Sequence, residues 1–195
     1  MRNLFFTIIM MIIALLLSGC YNASGDIELR SDGSGNLAFV LDIEKDYYNP
    51  GSIKKSLEDS IDHYSLTNEL KITKYTEKEI KDKNMAQINC LISFKDVDKL
   101  KYLELGVSMQ KIPYASMSAS EQAKYPNGSY KLKIEAEEQG TDSISLSVRP
   151  TDKVLDSNGT VNSNVVRYKF VGKATRDNYI ILKPVKLNLF NLIFI

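Results

Sequence analysis

The sequence is poor in the residues that most enzymes and metal proteins use. Its 195 residues contain one histidine and two cysteines. A Ser-His-Asp or Cys-His hydrolase would have to take His63 as its base, and no nucleophile stands near it in the sequence. Zinc sites built from His and Cys are excluded on the same count. Excess charge is also missing: 25 Lys and Arg stand against 24 Asp and Glu. The Lys residues are dispersed among acidic ones, so the basic stripe of a nucleic-acid binder is absent and no nucleic-acid partner is expected. No apolar run is long enough to span a bilayer. The longest, Leu4 to Leu17, covers about 14 residues, or roughly 21 Å as a helix, against a ~30 Å hydrocarbon core.

That apolar run is nevertheless the most informative stretch of the chain. Arg2 precedes it, Thr7 alone interrupts it, and the small residues Ser18 and Gly19 follow it, in the order of a secretory signal peptide. The next residue is Cys20, and Leu17-Ser18-Gly19-Cys20 resembles the lipobox of bacterial lipoproteins. The resemblance implies cleavage between Gly19 and Cys20, a diacylglycerol on the Cys20 thiol and acylation of the new amino terminus, with palmitate among the expected acyl groups. It also implies that the membrane is a partner through Cys20. The expected location is the cell membrane or the outer membrane, with the domain outside the cytoplasm. Tyr21 rather than Asp follows the cysteine, which in the lipoprotein pattern of a two-membrane bacterium points to the outer membrane.

Loss of Arg2 with the signal leaves 24 acidic and 24 basic residues, a formal charge of zero. With Cys20 acylated, Cys90 has no intramolecular partner, so no disulfide framework exists. Cys90 falls within the alternation Ala86, Ile88, Cys90, Ile92, Phe94, where a thiol acts as a small core hydrophobe.

Further along, Ile27 and Leu29, a turn over Ser31 to Asn36, and Leu37, Phe39, Leu41 and Ile43 spell a hairpin with one buried face. Gly33-Ser34-Gly35 serves that turn. No Gly-Lys-Ser/Thr follows it, so it is not a phosphate loop. After Asn49-Pro50-Gly51-Ser52, the recurrence of Ile53, Leu57, Ile61 and Tyr64 predicts an amphipathic helix. Its acidic residues Glu58, Asp59 and Asp62 lack the loop spacing of a calcium motif. A strand starts at Leu70, a polar connection is expected from Glu77 to Asn84, and residues 85–94 form the clearest strand. Asp96 is an N-cap candidate for a short helix with Val97, Leu100 and Leu103 on one side. Asp96 and Asp98 are also the nearest approach to paired carboxylates.

This order of parts resembles the LppM-like class of envelope lipoprotein domains over about residues 26–103. The shared features are a polar strand and an Asp-Gly-Ser-Gly turn soon after the lipidated cysteine, a helix, and a strand running into Phe94-Lys95-Asp96-Val97-Asp98-Lys99-Leu100. The resemblance implies an α+β envelope domain of poorly defined biochemistry.

Residues 105–128 read as a long surface excursion with one helical turn, opened by Ser118 with Glu121 as its capping-box partner: a mobile loop or linker between two halves, with a partner-facing element as the alternative. Hairpins are then expected from Tyr130–Ala136 with Ile144–Val148, and from Val165–Val171 with Asn178–Lys183. Asn127-Gly128 and Asn158-Gly159 read as turns. The apolar end, residues 185–195, is expected to be a last core strand, with contact to the nearby bilayer or an altered end of a longer reading frame as alternatives.

The expected fold is therefore α+β, a mostly antiparallel β-sheet with one or two short amphipathic helices packed on it. Residues 1–19 form the signal peptide and 20–26 a short tether reaching about 20 Å when extended. Residues 27–195 form a single β-rich domain, alternatively divided into halves 27–104 and 129–195 joined by the loop 105–128. No cofactor, metal site or catalytic set is expected. The leading functional reading is a non-enzymatic envelope lipoprotein with a binding or structural role and an envelope protein or glycan as partner. The alternatives are an envelope hydrolase using a carboxylate pair and a carrier of an apolar ligand.

Overall fold

The structure is a computed structural model that describes residues 22–80, 83–103, 105–135, 143–171 and 178–183. The first strand, β1 (Asn22–Leu29), pairs antiparallel with β2 (Gly35–Glu44) across the expected turn. In that turn the Asp32 carboxylate accepts from the amide and hydroxyl of Ser34, at 2.9 and 2.7 Å. The expected tether is shorter than residues 20–26, because Asn22–Asp26 already belong to β1. Ser24 and Asp26 alternate with Ala23 and Gly25, which are too small to announce a buried face.

A helix, α1 (Ser52–His63), follows as the apolar spacing predicts. Next come β3 (Leu70–Ile80), β4 (Met85–Phe94) and a 3-10 helix over Val97–Leu103. β3 runs well past its expected end. Its register with β4 slips between Ile72 and Lys74, so the inward positions change from Leu70 and Ile72 to Tyr75 and Glu77. The bulge breaks the period-2 pattern and hides the strand's second half from sequence reading.

The second half of the chain pairs differently from expectation. The segment read as a surface excursion contains β5 (Gly106–Lys111), which pairs with β6 (Tyr130–Glu135). Between them, Ser118 and Glu121 form the expected capping box on α2 (Ala119–Lys124): Glu121 N donates to Ser118 Oγ, and Ser118 N donates to Glu121 Oε2 at 2.9 Å. The strand β7 (Ser143–Pro150) does not form a hairpin with β6. It runs parallel to β1 and antiparallel to β10 (Val165–Val171). Nor does β10 pair with β11 (Asn178–Lys183), which lies between β6 and β8 (Lys153–Ser157). Alternation shows that a strand has one buried face, but it does not name the neighbour. Here sequence-adjacent strands pass to opposite sheets.

With β9 (Thr160–Asn162) at one edge, the result is a seven-stranded sheet ordered β3-β4-β2-β1-β7-β10-β9, facing a four-stranded sheet ordered β5-β6-β11-β8. The fold class is α+β and mostly antiparallel, the β1–β7 pair being parallel. One core cluster joins Ile27, Leu29, Leu37, Val148 and Val166 of the larger sheet to Val107, Leu132, Ile134, Ile180 and Leu182 of the smaller. The smaller sheet does not cover the β3 side. There Ile53 of α1 and Tyr48 pack on Ile43 and Ile88 in a second cluster. Residues 184–195, with the expected last strand, lie outside the described residues.

Close packing leaves Gly35 no room for a side chain. A Cβ there would stand 1.9 Å from the Glu28 carbonyl oxygen and 2.7 Å from the Phe94 ring. Gly35→Ala should therefore destabilise the protein by about 1–3 kcal/mol or more in chemical denaturation, while leaving the denaturant slope unchanged.

Candidate functional site

Of the residues singled out by sequence, Gly19 and Cys20 lie outside the described residues. Cys90 is buried, and burial raises its thiol pKa to about 11, so it is a core group and a poor nucleophile at neutral pH. His63 is exposed at the end of α1, edge-on to Tyr64, whose ring lies 4.7 Å from that of Tyr102. Glu58, Asp59 and Asp62 are exposed on α1, and Glu58 lies 3.5 Å from Lys54.

Asp96 and Asp98 bind backbone rather than each other's carboxylate. Asp96 Oδ1 accepts from Asp98 N at 3.0 Å, the capping role expected of it. Asp98 Oδ1 accepts from Met109 N at 2.6 Å and ties the 3-10 helix to β5. Among the described residues no group of three or more His, Cys, Asp or Glu side chains is placed to hold a metal ion.

The most buried polar group is one that sequence reading passed over. Asp152 is 0% exposed, in the connection between β7 and β8. Tyr130 Oη donates to its Oδ2 and Ser31 Oγ to its Oδ1, the latter at 2.6 Å. Burial pushes the Tyr130 hydroxyl pKa up, and its hydrogen bond to Asp152 adds to the rise. Asn164 Nδ2 donates to the carbonyls of Pro150 and Asp152, at 2.6 and 2.9 Å. One carboxylate thus joins the β1–β2 turn, β6 and the β7–β8 connection. Ser31 and Asp152 are far apart in sequence, so no local pattern could have revealed the junction.

Two other carboxylates perform similar work. Glu77 of β3 accepts from Gly51 N through both oxygens, at 3.0 and 3.2 Å, and from Tyr75 Oη at 2.6 Å. Gly51 is the N-cap of α1 and carries no capping side chain, so Glu77 supplies the missing acceptor from across the fold. The buried Tyr48 hydroxyl also faces Glu77, though outside ideal hydrogen-bond geometry. Burial pushes the Glu77 pKa up, and the hydroxyls of Tyr48 and Tyr75 with the Gly51 amide outweigh it, giving a net lowering. On β8, Asp156 Oδ2 accepts from Lys124 Nζ at 2.7 Å and Tyr125 Oη at 2.6 Å, which lower its pKa and pin the end of α2.

What remains open is the outer face of the seven-stranded sheet. Residues at the even-numbered positions of β1 and β2 point there, opposite the core, and are mostly polar. Two concavities open on it. One, of about 150 Å³, lies between Asn22, Ser24, Asp42 and Ser145. The other, of about 260 Å³, is lined by Asp26, Glu28, Asn36, Ala38 and Leu91. Asp26 and Glu28 are the carboxylates nearest to a pair in a concave setting. Asp26 Oδ2 accepts from Arg149 Nη2 at 2.6 Å, and Glu28 Oε2 from Asn36 Nδ2 at 3.2 Å. Such a face offers hydrogen-bond donors and acceptors to a polar partner. The space between the two sheets, by contrast, is occupied by the apolar core.

No protein-family model and no curated protein sequence matches this chain. A solved structure does share its fold. The folded domain of LppM from Mycobacterium tuberculosis, determined by NMR, aligns over 88% of this chain and 94% of its own, with a TM-score of 0.55 and 10% sequence identity. At that identity the likeness is one of fold. Among the described residues no helix is long and apolar enough to cross a membrane.

The Asp152 junction makes a measurable claim. Tyr130→Phe and Asp152→Ala should each cost about 1–3 kcal/mol, since each leaves a polar group at a fully buried site short of a hydrogen-bond partner. The double variant should cost clearly less than the sum of the two, because both remove the same bond. Additive losses in urea denaturation would show that the two residues act separately.

Proposed function

We propose that this chain is a lipid-anchored protein of a bacterial cell envelope, whose folded part has a binding or structural role rather than a catalytic one. The observation that carries the reading is the position of Cys20 at the end of Leu17-Ser18-Gly19-Cys20, two residues before the central strand of a folded domain. A signal peptide that is cut away and a cysteine at the new amino terminus are what an acylated anchor requires. Each buried methylene of an acyl chain is worth about 0.8 kcal/mol, so two or three chains hold the protein firmly where one would not.

The fold shared with the LppM domain supports the same class, in agreement with the resemblance of residues 26–103 to envelope lipoproteins. The non-catalytic part of the reading is supported by the use made of the acidic side chains. Asp96, Asp98, Glu77, Asp152 and Asp156 each hold a backbone amide or a neighbouring side chain in place. The outer sheet face, polar and gently concave, suits an envelope protein or glycan as partner.

Metabolic labelling with an alkyne-tagged fatty acid in the bacterial host tests the anchor. The wild-type chain should take up label and fractionate with membranes, and Cys20→Ala should lose both properties. Uptake unchanged in Cys20→Ala would refute the anchor.

A further inference from the structure

We infer that the end of the seven-stranded sheet where β1 begins rests against the bilayer, holding the opposite end of the domain outward. The inference rests on the anchor reading above and adds an orientation to it. Asn22 is paired on both sides, with Asp42 of β2 and Ser143 of β7. Only Tyr21 separates it from Cys20, so the two Cα atoms on either side of Tyr21 are at most about 7 Å apart. β1 is the fourth of seven strands, and the anchor therefore holds the middle of the sheet's end rather than a corner. The same end carries the close of β2 with the 3-10 turn Lys45–Tyr47, and the tip of the β3–β4 hairpin around Lys83 and Asn84.

Two other orientations are disfavoured by the surfaces they would bury. The inner face of the sheet is covered by the four-stranded sheet and α1. The outer face carries Asp26 and Glu28, and laying it on a lipid surface would desolvate these carboxylates without an apolar contact of similar size in return. End-on contact instead sets the described groups of that end among hydrated headgroups: the Lys45–Glu79 pair, at 2.8 Å, is neutral, and Asp46, Lys83 and Asn84 are exposed and keep their water there.

The consequence is a polarity of function. β1 climbs roughly 23 Å from Asn22 to Leu29 at the usual strand rise. The Ser31–Asp152–Tyr130 junction and the excursion over residues 112–129 lie at its far end. The outer sheet face stands across the bilayer surface, open to a partner approaching from the side.

The test uses the lipidated protein in vesicles of phosphatidylethanolamine and phosphatidylglycerol, with single cysteines introduced at three exposed sites. Lys83→Cys marks the end beside the anchor, Asn127→Cys the far end and Lys169→Cys the outer face. The native Cys90 thiol is buried and stays silent. A bulky polyethylene-glycol maleimide should label Lys83→Cys several-fold more slowly on vesicles than in detergent, and the other two at similar rates in both. An insert of about ten Gly and Ser residues between Tyr21 and Asn22, spanning roughly 18 Å on average, should restore labelling at Lys83→Cys. Equal rates at all three sites in protein whose Cys20 carries lipid would overturn the orientation while leaving the anchor intact, as would protection at Lys169→Cys alone. Absence of lipid on Cys20 in the same sample would remove the anchor and the orientation together.

Discussion

β1 is hydrogen-bonded along its whole length on both sides, antiparallel to β2 and parallel to β7. The remaining architecture follows from that constraint. A parallel pair cannot be closed by a tight turn, so the chain between β1 and β7 must leave the sheet and return. It extends the larger sheet through β2 and the β3–β4 hairpin, with α1 between them, then leaves it for β5 and β6 of the smaller sheet before returning as β7. Because β7 then brings β10 and β9 into the same sheet, strands from both ends of the sequence share one core around Ile27, Val148 and Val166. β1 is therefore among the best supported strands in the molecule.

The acidic residues complete the arrangement. Asp152 fastens the β1–β2 turn to β6, Glu77 caps α1, Asp98 holds β5 and Asp156 holds the end of α2. In each case a carboxylate on one element satisfies donors on another, which is how a structure with many short loops limits their freedom without disulfides. The fold shared with the LppM domain at 10% identity shows that such an architecture is reached from very different sequences.

Local features were legible in the sequence and distant pairings were not. The β1–β2 hairpin, α1, β4 with its buried Cys90, the Asp96 cap and the Ser118–Glu121 capping box all rest on contacts a few residues apart or on simple periodicity. The sequence signal ended where tertiary partners decide. Tyr130–Glu135 and Ser143–Pro150 alternate as well as any hairpin, yet they enter different sheets, because β7 finds its partner in β1. The bulge near Thr73 concealed half of β3. The start of β1 was misplaced by its small residues Ala23 and Gly25, where Gly25 fits because a Cβ would stand 2.8 Å from Leu146. Leu17-Ser18-Gly19-Cys20, which resembles a lipobox, is a local motif that lies outside the described residues. The polar outer face, Asp152 and Glu77 depend on pairing and register.

The central claim is that the folded domain begins at Asn22, two residues after Cys20. Native-state hydrogen exchange on the β1 amides tests it most directly. The hydrogen-bonded amides between Ala23 and Asp26 should exchange as slowly as those of Ile27 to Leu29, through opening of the whole sheet. Rapid exchange over Ala23–Asp26, with protection starting only at Ile27, would show a loose tether and contradict the account.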